Sequence, residues 1–235
     1  MLLENYLKLS KQNKLIFICI LLVNFLFAPN SNSENLSKYL LNYPNLDDPD
    51  GEVIFNNEYA VLQRLVVGPG EWEGVHSHPG NQIYVHIKGG YWSGRMHGEL
   101  EYEKEFSPDG SVGWMDAIPI EDRHDSGNSG DNPIELIYVT LKQDTIEKES
   151  GDTELQTYPS VNLELLFDNH RFFVQKVILN SGEWEGPHLQ TGRRISIVIK
   201  GGLISSKRNG EYLFREKEVS PGDVEWLESE SPNDT

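Results

Sequence analysis

The chain contains a long stretch of itself twice. Gly70-Glu71-Trp72-Glu73-Gly74-Val75-His76 returns as Gly182-Glu183-Trp184-Glu185-Gly186-Pro187-His188, an offset of 112 residues. The same offset carries Phe55, Asn57 and Gln63 onto Phe167, Asn169 and Gln175, and Ile87-Lys88-Gly89-Gly90 onto Ile199-Lys200-Gly201-Gly202. Gly98-Glu99 returns as Gly210-Glu211, Ser107-Pro108 meets Ser220-Pro221 after a slip of one residue, and Trp114 is back in register with Trp226. The period is too long for a solenoid unit and suits a small domain. A chain of 235 residues has room for two such domains.

Each copy reads as short strands separated by turns. Val61 to Val67, Phe172 to Leu179 and Glu135 to Leu141 are rich in Val, Leu and Ile, and Ile83 to Ile87 alternates apolar with polar residues. Gly-Gly, Asn-Gly and Pro-Asp-Gly supply the turns, within a total of 21 Gly and 12 Pro. No helical period runs through either copy, so the expectation is all-β, two sandwiches or barrels. The first spans 44–142, the polar linker 143–157, and the second 158–235; residues 34–43 form an N-terminal extension with room for a short helix.

The first 33 residues have the pattern of a secretory signal peptide. Lys8, Lys11 and Lys14 precede the apolar run Leu15 to Ala28, and Ser31 and Ser33 offer small residues before a cut. The run is shorter than the roughly 20 residues needed to span a bilayer, which favours cleavage over an anchor. Cys19, the single cysteine, lies in that run, so a cleaved chain has no thiol to ligate a metal or form a disulfide. The expected location is the periplasm or outside the cell. A net charge of −17 repels phosphate backbones and anionic lipid heads, which argues against nucleic-acid or membrane partners and is otherwise an ordinary solubility device.

The chemistry concentrates in the first copy. His76 and His78 are two apart, so on a strand both imidazoles face one side. His124 brings a third imidazole from a distant segment. Three neutral imidazoles converging in a barrel make a site for a divalent transition metal, Zn, Fe, Ni, Mn or Cu, with positions open to substrate or water. Tyr84 and His86 share the strand face of Gln82 and are candidates around the site, while Glu121, Glu99 and Tyr84 are candidates for a base. Arg64 and Arg95 are expected in salt bridges, His97 in a turn, and Trp72 and Trp184 in packing.

The spacing is similar to that of the cupin superfamily. Gly70, five residues, His76-Ser77-His78, three residues, Gln82, six residues and Gly89 follow the first cupin motif, with Gln82 where the family has Glu. Gly113, five residues, Pro119-Ile120-Glu121, two residues, His124, three residues and Asn128 follow the second, with Glu121 where the family has Gly. The first copy also resembles small cupins linked to β-alanine degradation. The resemblance implies two tandem jelly-roll (double-stranded β-helix) barrels and His76, His78 and His124 as metal ligands. Gln82 is then either the fourth ligand, through its amide oxygen, or a hydrogen-bonding group that leaves a three-histidine site.

The second copy keeps His188 but has Gln190 and Arg194 where His78 and Gln82 stand in the first. The counterpart of His124 would be position 236, one beyond Thr235, so the second barrel is expected to be incomplete at its C-terminus: a structural half, or a truncated one. Two functional classes follow: a metal-dependent enzyme acting on a small metabolite (oxygenase, isomerase or lyase), or a non-catalytic protein that binds a small molecule or metal. Pairing of the barrels within one chain suits a monomer, and an open strand edge suits a homodimer.

Overall fold

The computed structural model describes residues 16–22, 35–142, 157–171, 173–188, 193–207 and 213–228. The rest of 1–33, the linker from 143 to 156, and Gln190 lie outside the described residues. The architecture is all-β. Among the described residues the helical pieces are two 3-10 turns, Leu36–Tyr39 in the N-terminal extension and Ile120–Asp122 ahead of His124. No helix among the described residues is long and apolar enough to cross a membrane.

The first barrel is a five-stranded antiparallel sheet closed by a three-stranded one. β2 (Glu52–Asn56), β3 (Ala60–Val67), β4 (Gln82–Lys88), β7 (Val112–Met115) and β9 (Ile134–Leu141) pair in the order β2-β3-β9-β4-β7. β5 (Gly90–Met96), β6 (Glu99–Ser107) and β8 (Asp125–Asn128) pair as β6-β5-β8. This is the jelly-roll arrangement of a double-stranded β-helix.

The second barrel follows the same plan. β10 (Leu163–Asp168), β11 (Phe173–Leu179), β12 (Arg194–Lys200) and β15 (Val224–Leu227) take the places of β2, β3, β4 and β7. The opposing sheet has two strands, β13 (Gly202–Ser206) and β14 (Arg215–Val219), with no partner among the described residues in the place of β8.

The slot that β9 fills between β3 and β4 is filled in the second barrel from the other end of the chain. β1 (Ile16–Leu22) lies between β11 and β12, paired from Ile16↔Leu179 to Leu22↔Phe173 on one side and from Ile18↔Val198 to Leu22↔Arg194 on the other. These residues belong to the apolar run expected to be a removable leader. A run such as Ile-Phe-Ile-Cys-Ile-Leu-Leu meets the requirements of a central strand as well as those of a leader core.

Alternation along the strands assigns each face a task. On β4, Ile83, Val85 and Ile87 join Ile137, Val139 and Leu141 of β9 and Leu62 of β3 in one buried cluster. Ile195, Ile197 and Ile199 of β12 complete that cluster, so the outer faces of the two large sheets pack against each other. Phe55 stacks on Trp226 with ring centres 5.7 Å apart, and Trp114 on Phe167 at 6.3 Å. Each fully buried side chain of this kind contributes roughly 1.5–3 kcal/mol, so the shared layer holds the two barrels as one body. The other residues of β4, Gln82, Tyr84 and His86, face into the first barrel beside Thr140, Tyr138 and Leu136 of β9.

Candidate metal centre

His76 and His78 lie on an irregular segment that runs antiparallel to residues 118–127. His76 N–H donates to the His124 carbonyl at 3.1 Å, and His78 N–H to the Ile118 carbonyl at 2.9 Å. This ladder delivers three imidazoles to one place: His76, His78 and His124 are all buried, and their ligand atoms lie within 4.8 Å of one another. Gly113 matters because a Cβ there would run into the Tyr84 ring, which projects into the barrel.

Hydrogen bonds set which nitrogen each ring offers. His76 Nδ1 is 2.8 Å from the Gly74 carbonyl oxygen, which can only accept, so Nδ1 carries the proton. His78 Nδ1 is 3.2 Å from Gln82 Oε1, while Gln82 Nε2 donates to Thr140 Oγ1 at 2.7 Å. Both rings therefore present a bare Nε2, and these two atoms are 3.0 Å apart. Two lone pairs that close repel unless a cation lies between them. Burial keeps the rings neutral, lowering His76 to about 4 and His78 to about 3 from an ordinary 6.5. His124 is also lowered by burial, and its Nδ1 is buried with no hydrogen-bond partner. Donors about 2.1 Å from one ion lie about 3.0 Å apart at right angles and about 3.4 Å at the tetrahedral angle. The donor set and spacing fit a divalent transition metal.

Gln82 is fully buried, with its amide oxygen facing His78 and its amide nitrogen facing Thr140. That is the place of a group that fixes the His78 tautomer. His86 has both ring nitrogens engaged, Nε2 accepting from Trp92 Nε1 at 2.9 Å and Nδ1 lying 2.9 Å from Ser111 Oγ. Burial lowers it to about 4, and it is a satisfied wall residue. Glu99 and Glu121 are exposed, away from the barrel interior. Arg64 pairs with Glu135 at 3.2 Å, and Arg95 with Asp125 at 3.7 Å while covering the Trp72 ring. His97 sits in a turn at φ 56.

The sequence pattern missed Glu73. Period-two alternation puts residue 73 on the opposite face from His76, but Gly74 adopts φ +81, which turns both inward. Glu73 is 2% exposed, and its Oε2 is 3.7 Å from His76 Nε2. Tyr43 hydrogen-bonds the carboxyl and lies 2.8 Å, hydroxyl to hydroxyl, from Tyr138. Burial raises the Glu73 carboxyl well above its usual range, and the nearby Asp125 carboxylate adds to the effect. The Trp-Glu-Gly-x-His string itself was the available signal, because a glycine between Glu and His allows a local reversal of face.

A cavity of about 390 Å³ opens on the centre between the two sheets. Glu73 and His124 are at its wall, with Tyr84, Trp92, Tyr102 and Tyr138 around it and Glu101 and Glu105 also lining it. No Lys or Arg lines it among the described residues.

No family model matches the chain, and no curated protein matches it. Among solved structures it is similar to a Cupin 2 conserved barrel domain protein from Salinispora arenicola, with 17% identity, 48% of this chain and 88% of that one covered, and a TM-score of 0.29. It is similar also to a double-stranded β-helix domain protein from Klebsiella pneumoniae, with 16% identity, 50% and 95% covered, and a TM-score of 0.31. Salicylate 1,2-dioxygenase from Pseudaminobacter salicylatoxidans overlaps more of the chain, 78% of it and 70% of the enzyme, at 11% identity and a TM-score of 0.35. Overlaps this partial carry no information on reaction or substrate. The chain's own strand order gives the fold: tandem double-stranded β-helix barrels, the second with two described strands on one side.

Proposed function

We propose that the first barrel is a metal-dependent centre acting on a small metabolite. His76, His78 and His124 hold a divalent transition metal, and Gln82 orients His78 instead of ligating. The observation that carries this reading is the 3.0 Å approach of two bare Nε2 atoms inside a neutral, buried cluster. A metal bound there supplies Lewis acidity to an oxygen or carbonyl of the substrate, which suits oxygenase, isomerase or lyase chemistry.

The protein's own residues define what enters. Tyr84, Tyr102 and Tyr138 offer hydroxyls and aromatic faces, and Glu101 and Glu105 make the cavity acidic. With no cationic side chain lining it, the cavity favours a neutral or cationic molecule that contacts aromatic rings over a free polyanion. The test is metal analysis of the purified protein beside His76→Ala and His124→Ala. The expected result is about one ion per chain in the wild type and little in either variant. Equal metal in all three would remove the site.

A further inference from the structure

We infer that Glu73 supplies the anionic oxygen of the metal centre, a role that Gln82 cannot fill. The inference rests on the three-histidine metal reading above. It concerns a residue outside the spacing that located the histidines, and it is carried by a comparison of the two barrels.

Both copies turn a glutamate inward by the same device. Gly74 at φ +81 brings Glu73 Oε2 to 3.7 Å from His76 Nε2, and Gly186 at φ +85 brings Glu185 Oε2 to 3.9 Å from His188 Nε2. Both have a tyrosine against the histidine, Tyr43 on His76 at 4.6 Å between ring centres and Tyr158 on His188 at 4.4 Å. The copies differ at the next position along. In the second barrel Arg194, fully buried, acts electrostatically on Glu185 and hydrogen-bonds Tyr158. In the first barrel the same strand position holds the neutral Gln82. The charged side chain that acts on Glu73 is Asp125, another carboxylate, and no Lys or Arg pairs with Glu73 among the described residues.

Buried beside Asp125, the Glu73 carboxyl is held in its neutral form, and a cation placed between it and the imidazoles lets it ionise. The second barrel carries one covalently, as the guanidinium of Arg194. The first has three imidazoles at the corresponding place and takes its cation from solution. Oxygen and nitrogen donors of one ion lie about 3.4 Å apart at the tetrahedral angle, so the 3.7 Å separation of Glu73 Oε2 and His76 Nε2 closes with a small side-chain shift. Tyr43, bonded to the carboxyl, holds it on the histidine side.

The experiment titrates Zn(II) and Co(II) into metal-stripped full-length protein against a competing chelator, following the visible spectrum of Co(II). Glu73→Gln is expected to weaken both metals by roughly 10–100-fold and to change the Co(II) spectrum, with Glu73→Asp intermediate. Apo-protein melting separates ligation from folding, because replacing a buried neutral carboxyl by the isosteric amide should leave the apo form about as stable. Wild-type affinity and spectrum in Glu73→Gln would overturn this inference and leave the histidine site standing. Glu73→Asp as weak as Glu73→Gln would assign the residue to packing and also overturn it. A wild type that binds neither metal would remove both proposals.

Discussion

Position 82 in the first barrel and position 194 in the second occupy the same place on corresponding strands, β4 and β12. One holds a neutral amide and the other a buried guanidinium. Around them the glutamate, histidine and tyrosine are placed alike. The difference shows how a barrel that needs a positive charge in its interior can obtain it in two ways. A built-in arginine is always present and leaves little for a metal to do. A set of neutral imidazoles behind an amide leaves the position to be filled, and so keeps it chemically useful. The remaining walls diverge in the same direction. His86 and Trp92 of the first barrel correspond to Val198 and Ile204 in the second, and the β6-β5-β8 sheet that closes the first cavity corresponds to two strands among the described residues of the second.

The comparison can be broken most severely by removing β1. Deleting residues 1–33 unpairs the facing edges of β11 and β12, and unpaired central edges seek other strands. The expected outcome is self-association and loss of cooperative melting in the second barrel, with metal retained in the first. Size-exclusion chromatography and metal analysis of one sample check both halves. An unchanged elution volume and melting curve would show that β1 is dispensable.

Exchanging equivalent histidines tests whether the two centres differ in kind. His76→Ala should weaken metal binding by about 100-fold or more, whereas His188→Ala should leave it unchanged. Equal losses, measured by chelator competition, would place a metal in both barrels. Arg194→Gln gives the second barrel the residue of the first. Removing the buried guanidinium that acts on the part-exposed Glu185 should lower stability, read from denaturant unfolding, with metal binding in the first barrel intact. A neutral effect would mean that Glu185 does not depend on Arg194.

The smallest effect is a pH dependence confined to the first barrel. His86 is held near 4 by burial, below its ordinary 6.5, so between those values the unfolded chain binds the extra proton and the folded chain does not. Its contribution to stability is fully present above about pH 6.5 and is lost as pH falls toward 4, up to about 3 kcal/mol. His86→Gln keeps an acceptor for Trp92 Nε1 and removes the titration. Its unfolding free energy should fall less steeply between pH 6.5 and 4 than the wild type's.

The histidines were legible in the sequence because a strand alternates with a fixed period and because a third histidine stood at the right spacing from Gly113. The strands were legible from their Val, Ile and Leu content, and β4 from its alternation as well. Glu73 was not, since strict alternation points it away from His76 and only the φ of Gly74 reverses that. Gln82 was visible as a member of the site, but its task was not. Whether its amide oxygen faces an ion or His78 Nδ1 depends on Thr140, a residue 58 positions away. The local composition of the run 15–28 suits both a leader and a central strand. Pairing with β11 and β12, more than 150 residues downstream, leaves no local mark.

The two stacked pairs between the barrels have a further consequence. Phe55 meets Trp226 and Trp114 meets Phe167, and each pair maps onto the other when residues of the two copies are exchanged by the offset of 112. Residue i touching j while the counterpart of j touches the counterpart of i is the signature of an isologous, two-fold contact. Within one polypeptide it is a homodimer interface closed on itself. That face is already spent, so a second copy of the chain would have to dock through another surface. Mutations at either pair can also be compared as near-replicates of one another, an internal control that a single barrel would lack.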